Sequence, residues 1–225
     1  VLILGSTGML GHVIYNVLQN QSNIELFDMS FRTKLTKKSI ICDVAKVDTL
    51  EEQIKKINPV VIVNCVGVLL KNSKINPANT IFINSYLPHK LRDIAVKINA
   101  RVIQISTDCV FNGNRGHNSE NTLPNASDIY GRSKSLGELN NSFDLTIRTS
   151  IIGPELKHNG EGLLHWLFNQ SGNIYGYKNV FWSGVTTLEL SKAILFSINN
   201  EISGLWNLTN GTEISKYDLI EKVIN

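Results

Sequence analysis

The segment "YGRSK", Tyr130 to Lys134, sets a phenol and an ammonium four residues apart. In a helix that spacing brings both onto one face. A Tyr hydroxyl has an ordinary pKa near ~10 and gives up its proton reluctantly, but a neighbouring cation stabilises the phenolate and draws the value towards neutral pH. Such a pair can serve as general acid for a ketone that receives a hydride. The stretch "STDCVFNG", Ser106 to Gly113, follows the apolar run "RVIQI" and puts two hydroxyls and a carboxylate where a strand should end. A Tyr and a Lys four apart are common on solvated helix faces. The hydroxyl pair Ser106 and Thr107, one strand upstream of Tyr130, makes a chance pairing a poor explanation.

A second constellation opens the chain. "LGSTGMLG" spaces Gly5, Gly8 and Gly11 three residues apart, directly after the apolar run "VLIL" and before an amphipathic segment. Without side chains the backbone turns tightly and lets a pyrophosphate approach, and the following helix packs against the strand with its N-terminus, at Met9 and Leu10, towards the anion. The expected ligand is a dinucleotide. "LFDMSFRTK" offers Asp28 inside the second strand and Arg32 at its exit. A guanidinium there can clamp a 2′-phosphate bidentately, which favours NADPH, with NADH the other cofactor the site could take. Asp43 and Val44 close the third strand, where a carboxylate can accept from an adenine amino group. "NCVG", with Cys65, Val66 and Gly67, closes the fourth, where small side chains leave space for the nicotinamide half; Val68 follows on the substrate side.

The elements that must position these groups are read from periodicity. Short, continuously apolar runs alternate with helix-length amphipathic segments: "VLIL" and 9–20, "IELFDM", "SIIC" and 47–57, "VVIVN" and 79–98, "RVIQIS" and 128–140, "LTIRTS". That alternation predicts an α/β fold with a doubly wound parallel sheet of the Rossmann type, its strands covered by helices on both faces. Ligands of such sheets bind beyond the carboxyl ends of the strands, which places "STDCVFNG" on the functional edge. After Ser150 the segments shorten and Gly and Asn become frequent. The expected division is a dinucleotide-binding domain over 1–150 and a smaller substrate lobe over 151–225. The chain stops inside the periodic run "YDLIEKVIN", so the lobe is expected to be incomplete there.

Composition narrows the function classes. A net charge of +3, with no basic block longer than "TKKS", gives no footprint for a phosphate backbone, so no nucleic-acid partner is expected. The longest apolar stretch, "VVIVNCVGVLL", falls well short of the ~20 residues that cross a bilayer, so no membrane partner is expected either. Cys42, Cys65 and Cys109 are odd in number and widely spaced, and the five His show no paired spacing. Reduced thiols, no metal and a cytoplasmic address follow as expectations.

The combined motifs resemble the extended short-chain dehydrogenase/reductase superfamily. Within it "STDCVFNG", "YGRSKSLGE", "NSYLPHKL" and "IRTS" are similar to the dTDP-4-dehydrorhamnose reductase family, and the likeness runs from "VLILGSTGMLG" to "SGVTTLELSKAI". The resemblance implies that Thr107 hydrogen-bonds the substrate ketone, that Tyr130 donates the proton, and that Lys134 both tunes Tyr130 and holds the nicotinamide ribose. It implies a nucleotide-linked 4-keto-6-deoxyhexose as substrate, a deoxysugar nucleotide for surface polysaccharide as product, and a homodimer as a possible assembly. Val68, Asp108, Cys109 and Ile151 would border the sugar. The family commonly carries Tyr and Trp where this chain has Cys109 and Ile151, which alters the sugar pocket and leaves the hydride machinery untouched. Two other readings share the motifs: an NAD-dependent nucleotide-sugar epimerase or dehydratase, and a non-catalytic subunit like the regulatory subunit of methionine adenosyltransferase.

Overall fold

The computed structural model describes residues 1–224. In chain order its regular elements are β1 (Leu2–Leu4), α1 (Gly11–Leu18), β2 (Phe27–Ser30), β3 (Ile40–Ile41), α2 (Val47–Ile57), β4 (Val61–Asn64), α3 (Leu70–Ile75), α4 (Pro77–Ile81), a π-helical turn (Phe82–Tyr86), α5 (Leu87–Lys97), β5 (Arg101–Ile105), a 3-10 turn (Asp108–Val110), α6 (Ile129–Leu136), β6 (Leu145–Arg148), β7 (Ile151–Ile152), α7 (Leu163–Phe168), β8 (Phe181–Trp182), β9 (Val185–Thr186), α8 (Thr187–Asn199), β10 (Gly204–Asn207), β11 (Ile214–Ser215) and α9 (Lys216–Ile224).

Seven strands form one parallel sheet in the order β3-β2-β1-β4-β5-β6-β10. Its strands are apolar on both faces because helices cover both. Leu2, Leu4, Ile62 and Val102 point into one layer with Leu50 and Ile54 of α2 and Leu87, Leu91 and Ile94 of α5. Ile3, Val63, Ile103, Leu145 and Ile147 point into the other, with Ile14 and Leu18 of α1 and Leu190 and Ile194 of α8. Strand order reverses between β1 and β4, and the crevice that such a reversal opens is the place where ligands of this architecture bind.

The helices start and stop where local chemistry dictates. Asp128 caps α6 by accepting from Gly131 N at 3.0 Å, and Thr186 caps α8 by accepting from Glu189 N at 3.1 Å. Asn58, in the left-handed region at φ 49°, ends α2 ahead of Pro59. The helical segment expected over 79–98 is interrupted by the π-helical turn Phe82–Tyr86, whose extra residue turns Asn84 and Ser85 inward.

The chain after Ser150 divides between two bodies. α8 packs on α1, and β10 adds the seventh strand of the main sheet beside β6, so both belong to the main sheet and its helical layers. The smaller lobe consists of α7, α9, the parallel pair β7–β9 and the antiparallel pair β8–β11. Among the described residues no helix is long and apolar enough to cross a membrane, and no group of His, Cys, Asp or Glu is arranged to hold a metal ion.

One buried carboxylate ties the far end of the sheet together. Asp144, fully buried at the start of β6, accepts from Val102 N at 2.8 Å, from Asn141 Nδ2 at 2.8 Å and from Arg92 Nε at 3.0 Å. Removing it leaves a strand N–H and a guanidinium without partners. Asp144→Ala is therefore expected to cost on the order of 3 kcal/mol, read as a lower urea midpoint at unchanged slope. A loss below about 0.5 kcal/mol would show that water replaces the carboxylate at no cost.

Candidate active site

The glycine turn is as tight as its spacing demands. Gly5 lies at φ +83°, and Gly5 N and Ser6 N both donate to Met29 O, at 2.9 and 3.1 Å. A Cβ on Gly11 would collide with the Gly5 carbonyl, so α1 reaches the turn only because that side chain is missing. No side chain caps α1 at Leu10, and Gly8, Met9 and Leu10 line the crevice above it. An uncapped helix end over a glycine turn suits a pyrophosphate, so the residues present fit a dinucleotide.

At the end of β2 the two charged candidates separate. Asp28 is buried and accepts from Ser6 Oγ at 2.5 Å, which occupies its carboxylate inside the fold. Arg32 is exposed, with its guanidinium 4.6 Å from the centre of the Phe31 ring. Asp43 Oδ1 accepts from Ala45 N at 3.0 Å and shapes the turn into α2, while Val44 packs on the core.

Beyond β4 the backbone over Cys65, Val66, Gly67 and Val68 forms the middle of the crevice wall. It is held by two buried amides that the sequence reading did not single out. Asn64 Oδ1 accepts from Val66 N at 3.1 Å. Asn84, from the π-helical turn, accepts from Val68 N at 2.8 Å, donates to Val68 O at 2.9 Å and donates to Ser133 Oγ at 3.2 Å. Asn84 thus clamps the wall to α6. Its sequence signal was an Asn inside a helix-length run, where amides are poor helix formers.

α6 presents the reactive pair. Gly131 allows the helix to press against Cys109 O, which brings Tyr130 beside Thr107 at the end of β5. Thr107 Oγ1 accepts from Cys109 N at 3.1 Å and donates to Asp108 Oδ1 at 3.2 Å. One turn on, Lys134 is buried and donates to Ile105 O at 2.6 Å. Beneath them Glu138 accepts bidentately from one edge of the Arg148 guanidinium, at 2.8 Å from Nε and 2.7 Å from Nη2, and also accepts from Ser106 Oγ at 2.8 Å.

The electrostatics correct one expectation. Lys134 was to draw the Tyr130 phenol towards neutral pH; instead burial pushes Tyr130 well above its ordinary value, and the group that lowers it is the Thr107 hydroxyl. Burial brings Lys134 down to about 8, against the opposing pull of Glu138 and Cys65. At neutral pH the phenol holds its proton and Lys134 holds its charge, anchored on the β5 carbonyl.

Thr107, Tyr130 and Lys134 share one cleft of about 760 Å³ with Gly8, Met9, Leu10, Cys65, Val66, Gly67, Val68, Cys109 and Ile151. Its outer wall comes from residues 155–162 and α7, and Asn72 Nδ2 bridges to Glu161 Oε1 at 2.5 Å across the mouth. Gly5 and Gly11 lie behind the turn, and Arg32, Asp43 and Val44 lie outside the cleft lining. Asp108 does not line it either: with Cys109 it borders a second cavity of about 820 Å³ on the other side of the β5 and β6 ends.

The chain matches the family model of the RmlD substrate binding domain over residues 1–225. Its fold superimposes with a TM-score of 0.87 on a hypothetical dTDP-4-dehydrorhamnose reductase from Sulfolobus tokodaii, 25% identical, covering 99% of this chain and 80% of that one. The dTDP-4-dehydrorhamnose reductase of Bacillus anthracis, solved in complex with NADP, gives 0.84 at 22% identity, covering 99% and 78%. Among curated proteins, the methionine adenosyltransferase 2 subunit beta of Bos taurus is 26% identical over 233 residues, 97% of this chain and 69% of that protein. With the family model matched from first residue to last and the motifs in their expected order, the chain belongs to the RmlD substrate binding domain family, within the reductase-like group that its motifs resemble.

Proposed function

We propose that the protein reduces the C4 ketone of a nucleotide-linked 4-keto-6-deoxyhexose with NADPH. The observation that carries this reading is the convergence of Thr107, Tyr130 and Lys134 on one wall of a cleft whose other end is the uncapped glycine turn. The product would be a deoxysugar nucleotide for surface polysaccharide, made in the cytoplasm. Asp28, already engaged by Ser6, leaves Arg32 as the charged group available at the β2 exit, which supports a cofactor with a 2′-phosphate. The NADP complex of the Bacillus anthracis relative agrees with that choice.

A nicotinamide cofactor held over the glycine turn would supply the hydride for the carbonyl carbon, and all else would fall to the chain's own residues. In this reading the Thr107 hydroxyl turns its proton from Asp108 Oδ1 to the carbonyl oxygen and polarises it. As the C=O bond becomes a C–O single bond, the Tyr130 proton passes to that oxygen, leaving an alcohol and a phenolate. A developing alkoxide is a far stronger base than a phenolate, so a phenol with a raised pKa still donates downhill and is fully protonated at neutral pH. That arrangement suits reduction. Lys134 neutralises the phenolate that remains and offers its ammonium to a ribose hydroxyl.

The methionine adenosyltransferase subunit favours a second reading, in which the same crevice binds a nucleotide and grips a partner enzyme without turnover. Tyr130→Phe separates the two. It removes the proton donor and leaves the Lys134 anchor on Ile105, so turnover of 4-keto sugar nucleotides, followed at the nicotinamide absorbance, should fall by ~10²–10⁴-fold with NADPH binding retained. A wild-type chain that binds NADPH but reduces no member of such a panel would establish the binding reading.

The cofactor assignment has its own test. Arg32→Ala should weaken NADPH by roughly 10- to 100-fold, the equivalent of a charge-assisted pair, and leave NADH nearly unchanged. Equal losses for both would make Arg32 a structural residue.

The Lys134 charge gives a pH dependence. Its pKa is lowered to about 8, so the ammonium is present below that pH and lost above it. NADPH affinity, titrated by nicotinamide fluorescence, should be flat below about pH 8 and decline above it, and Lys134→Met should remove the limb along with most of the affinity. A flat profile up to pH 9.5 in the wild type would mean that the ammonium does not face the cofactor.

A further inference from the structure

Between β7 and α7 the chain runs through "GPELKHNGEG", Gly153 to Gly162, without regular structure, and this strap forms the outer lip of the cleft. It is held together from within. Glu155 folds back and accepts from Gly162 N at 2.6 Å and from Glu161 N at 3.3 Å, so one carboxylate closes the loop on itself. Two contacts tie the strap to opposite sides of the crevice. Gly162 lies against the glycine turn, so closely that a Cβ there would stand 2.9 Å from Met9 Cε. Its neighbour Glu161 accepts from Asn72 Nδ2 of α3 at 2.5 Å. Residues 161 and 162 therefore reach from the glycine turn to α3, across the space where Gly8, Met9 and Leu10 would hold a pyrophosphate.

The strap is fastened lightly. Among the described residues, the Asn72–Glu161 bond is the one hydrogen bond or ion pair that joins residues 155–161 to the rest of the chain. Both side chains are exposed, where water competes for donor and acceptor, and such a bond yields to local opening. The Met9 contact is apolar and is made by a flexible thioether, so it parts without leaving a polar group unpaired. Because Glu155 spends its carboxylate inside the strap, opening breaks the Asn72 bond and leaves the loop's own hydrogen bonds in place. One latch thus decides whether the strap stands over the glycine turn or away from it.

We propose that residues 155–162 are a gate over the cofactor, latched by Asn72 and Glu161, and that a dinucleotide enters and leaves while this latch is open. The closed latch sets the cofactor's residence time. The inference rests on the reading of the glycine turn as a dinucleotide site and adds the control of exchange at that site. Its signature is kinetic. The latch is closed with the site empty, so weakening it speeds entry and exit together and leaves the equilibrium affinity in place. A residue that merely touched the cofactor would change exit and affinity instead.

Stopped-flow nicotinamide fluorescence tests it without turnover, with NADPH and NADH as separate ligands because the pyrophosphate is common to both. Asn72→Asp sets a second carboxylate against Glu161 and should raise association and dissociation rates by roughly tenfold each, with Kd within about twofold of wild type. Adding Glu161→Lys to Asn72→Asp restores opposite charges and should bring both rates back towards wild type. Asn72→Ala, which only deletes the bond, should raise both rates by a smaller factor. Thermal unfolding verifies that each variant folds. Rates unchanged in Asn72→Asp, a faster exit with Kd weakened in proportion, or a double variant as fast as the single one overturns the gate. A chain that binds neither cofactor overturns the gate and the dinucleotide reading together. Reduction of 4-keto sugar nucleotides is measured separately. Turnover with ungated exchange leaves the reductase standing and removes the gate, whereas gated exchange without turnover keeps the gate and removes the reductase.

Discussion

A bidentate ion pair between Glu138 and Arg148 fixes the candidate site from below. Both side chains are at least nine-tenths buried, and taking two charges out of water is expensive unless the geometry is good and the remaining donors and acceptors are satisfied. Here they are: Glu138 also accepts from Ser106 Oγ, and the guanidinium reaches Glu120 O at 3.4 Å and lies 5.1 Å from the centre of the Phe111 ring. The pair joins the segment after α6, which carries Tyr130 and Lys134, to the ends of β5 and β6, which carry Thr107 and Ser150. A hydrophobic replacement could fill the same volume, but it would not set the distance between helix and strand ends to a few tenths of an ångström, and the proposed hydride and proton transfers would depend on that distance.

The same carboxylate shapes the charges above it. Glu138 supports the protonated form of Lys134 against burial, and the Ile105 carbonyl holds the ammonium in place. Tyr130 therefore owes its proton to burial and its moderation to Thr107. The division of labour differs from that read in the spacing of "YGRSK", where four residues suggested direct tuning. Spacing shows that two groups share a helix face. It does not show which third group one of them reaches for.

What the sequence made legible was local. Continuously apolar runs identified the buried strands, and missing side chains at Gly5 and Gly11 marked a turn that only they permit. The hydroxyls of "STDCVFNG" and the Tyr and Lys of α6 met across the strand ends as expected. What escaped was set by contacts between distant parts of the chain. Glu138 and Arg148 looked like ordinary charges until β6 passed beneath α6. Asn84 became a clamp because a π-helical turn rotated it inward, and β10 joined the main sheet although its sequence, with Gly204 and an exposed Trp206, lacks the apolar density of the inner strands. An edge strand covered on fewer sides needs less of it. Asp108 was placed by adjacency beside the sugar in the cleft, and the 3-10 turn carries it instead into the neighbouring cavity.

The cost of Lys134 bears on whether the fold catalyses or only binds. A lysine whose pKa falls from 10.5 to about 8 on folding weakens the folded state by on the order of 3 kcal/mol at neutral pH. Both states are protonated below pH 8, where the penalty is complete; it is relieved only as pH rises from about 8 towards 10.5, where the folded state releases its proton first. For a domain whose whole stability is of the order of 5–15 kcal/mol that is a large burden. A methionine of similar length would fill the site without it. A crevice that merely held a nucleotide would gain from that ammonium only its contact with the ribose. A buried ammonium one helical turn from a buried phenol has physical sense where a negative charge must appear on that phenol and then disappear, as it does when the proton leaves for a nascent alkoxide.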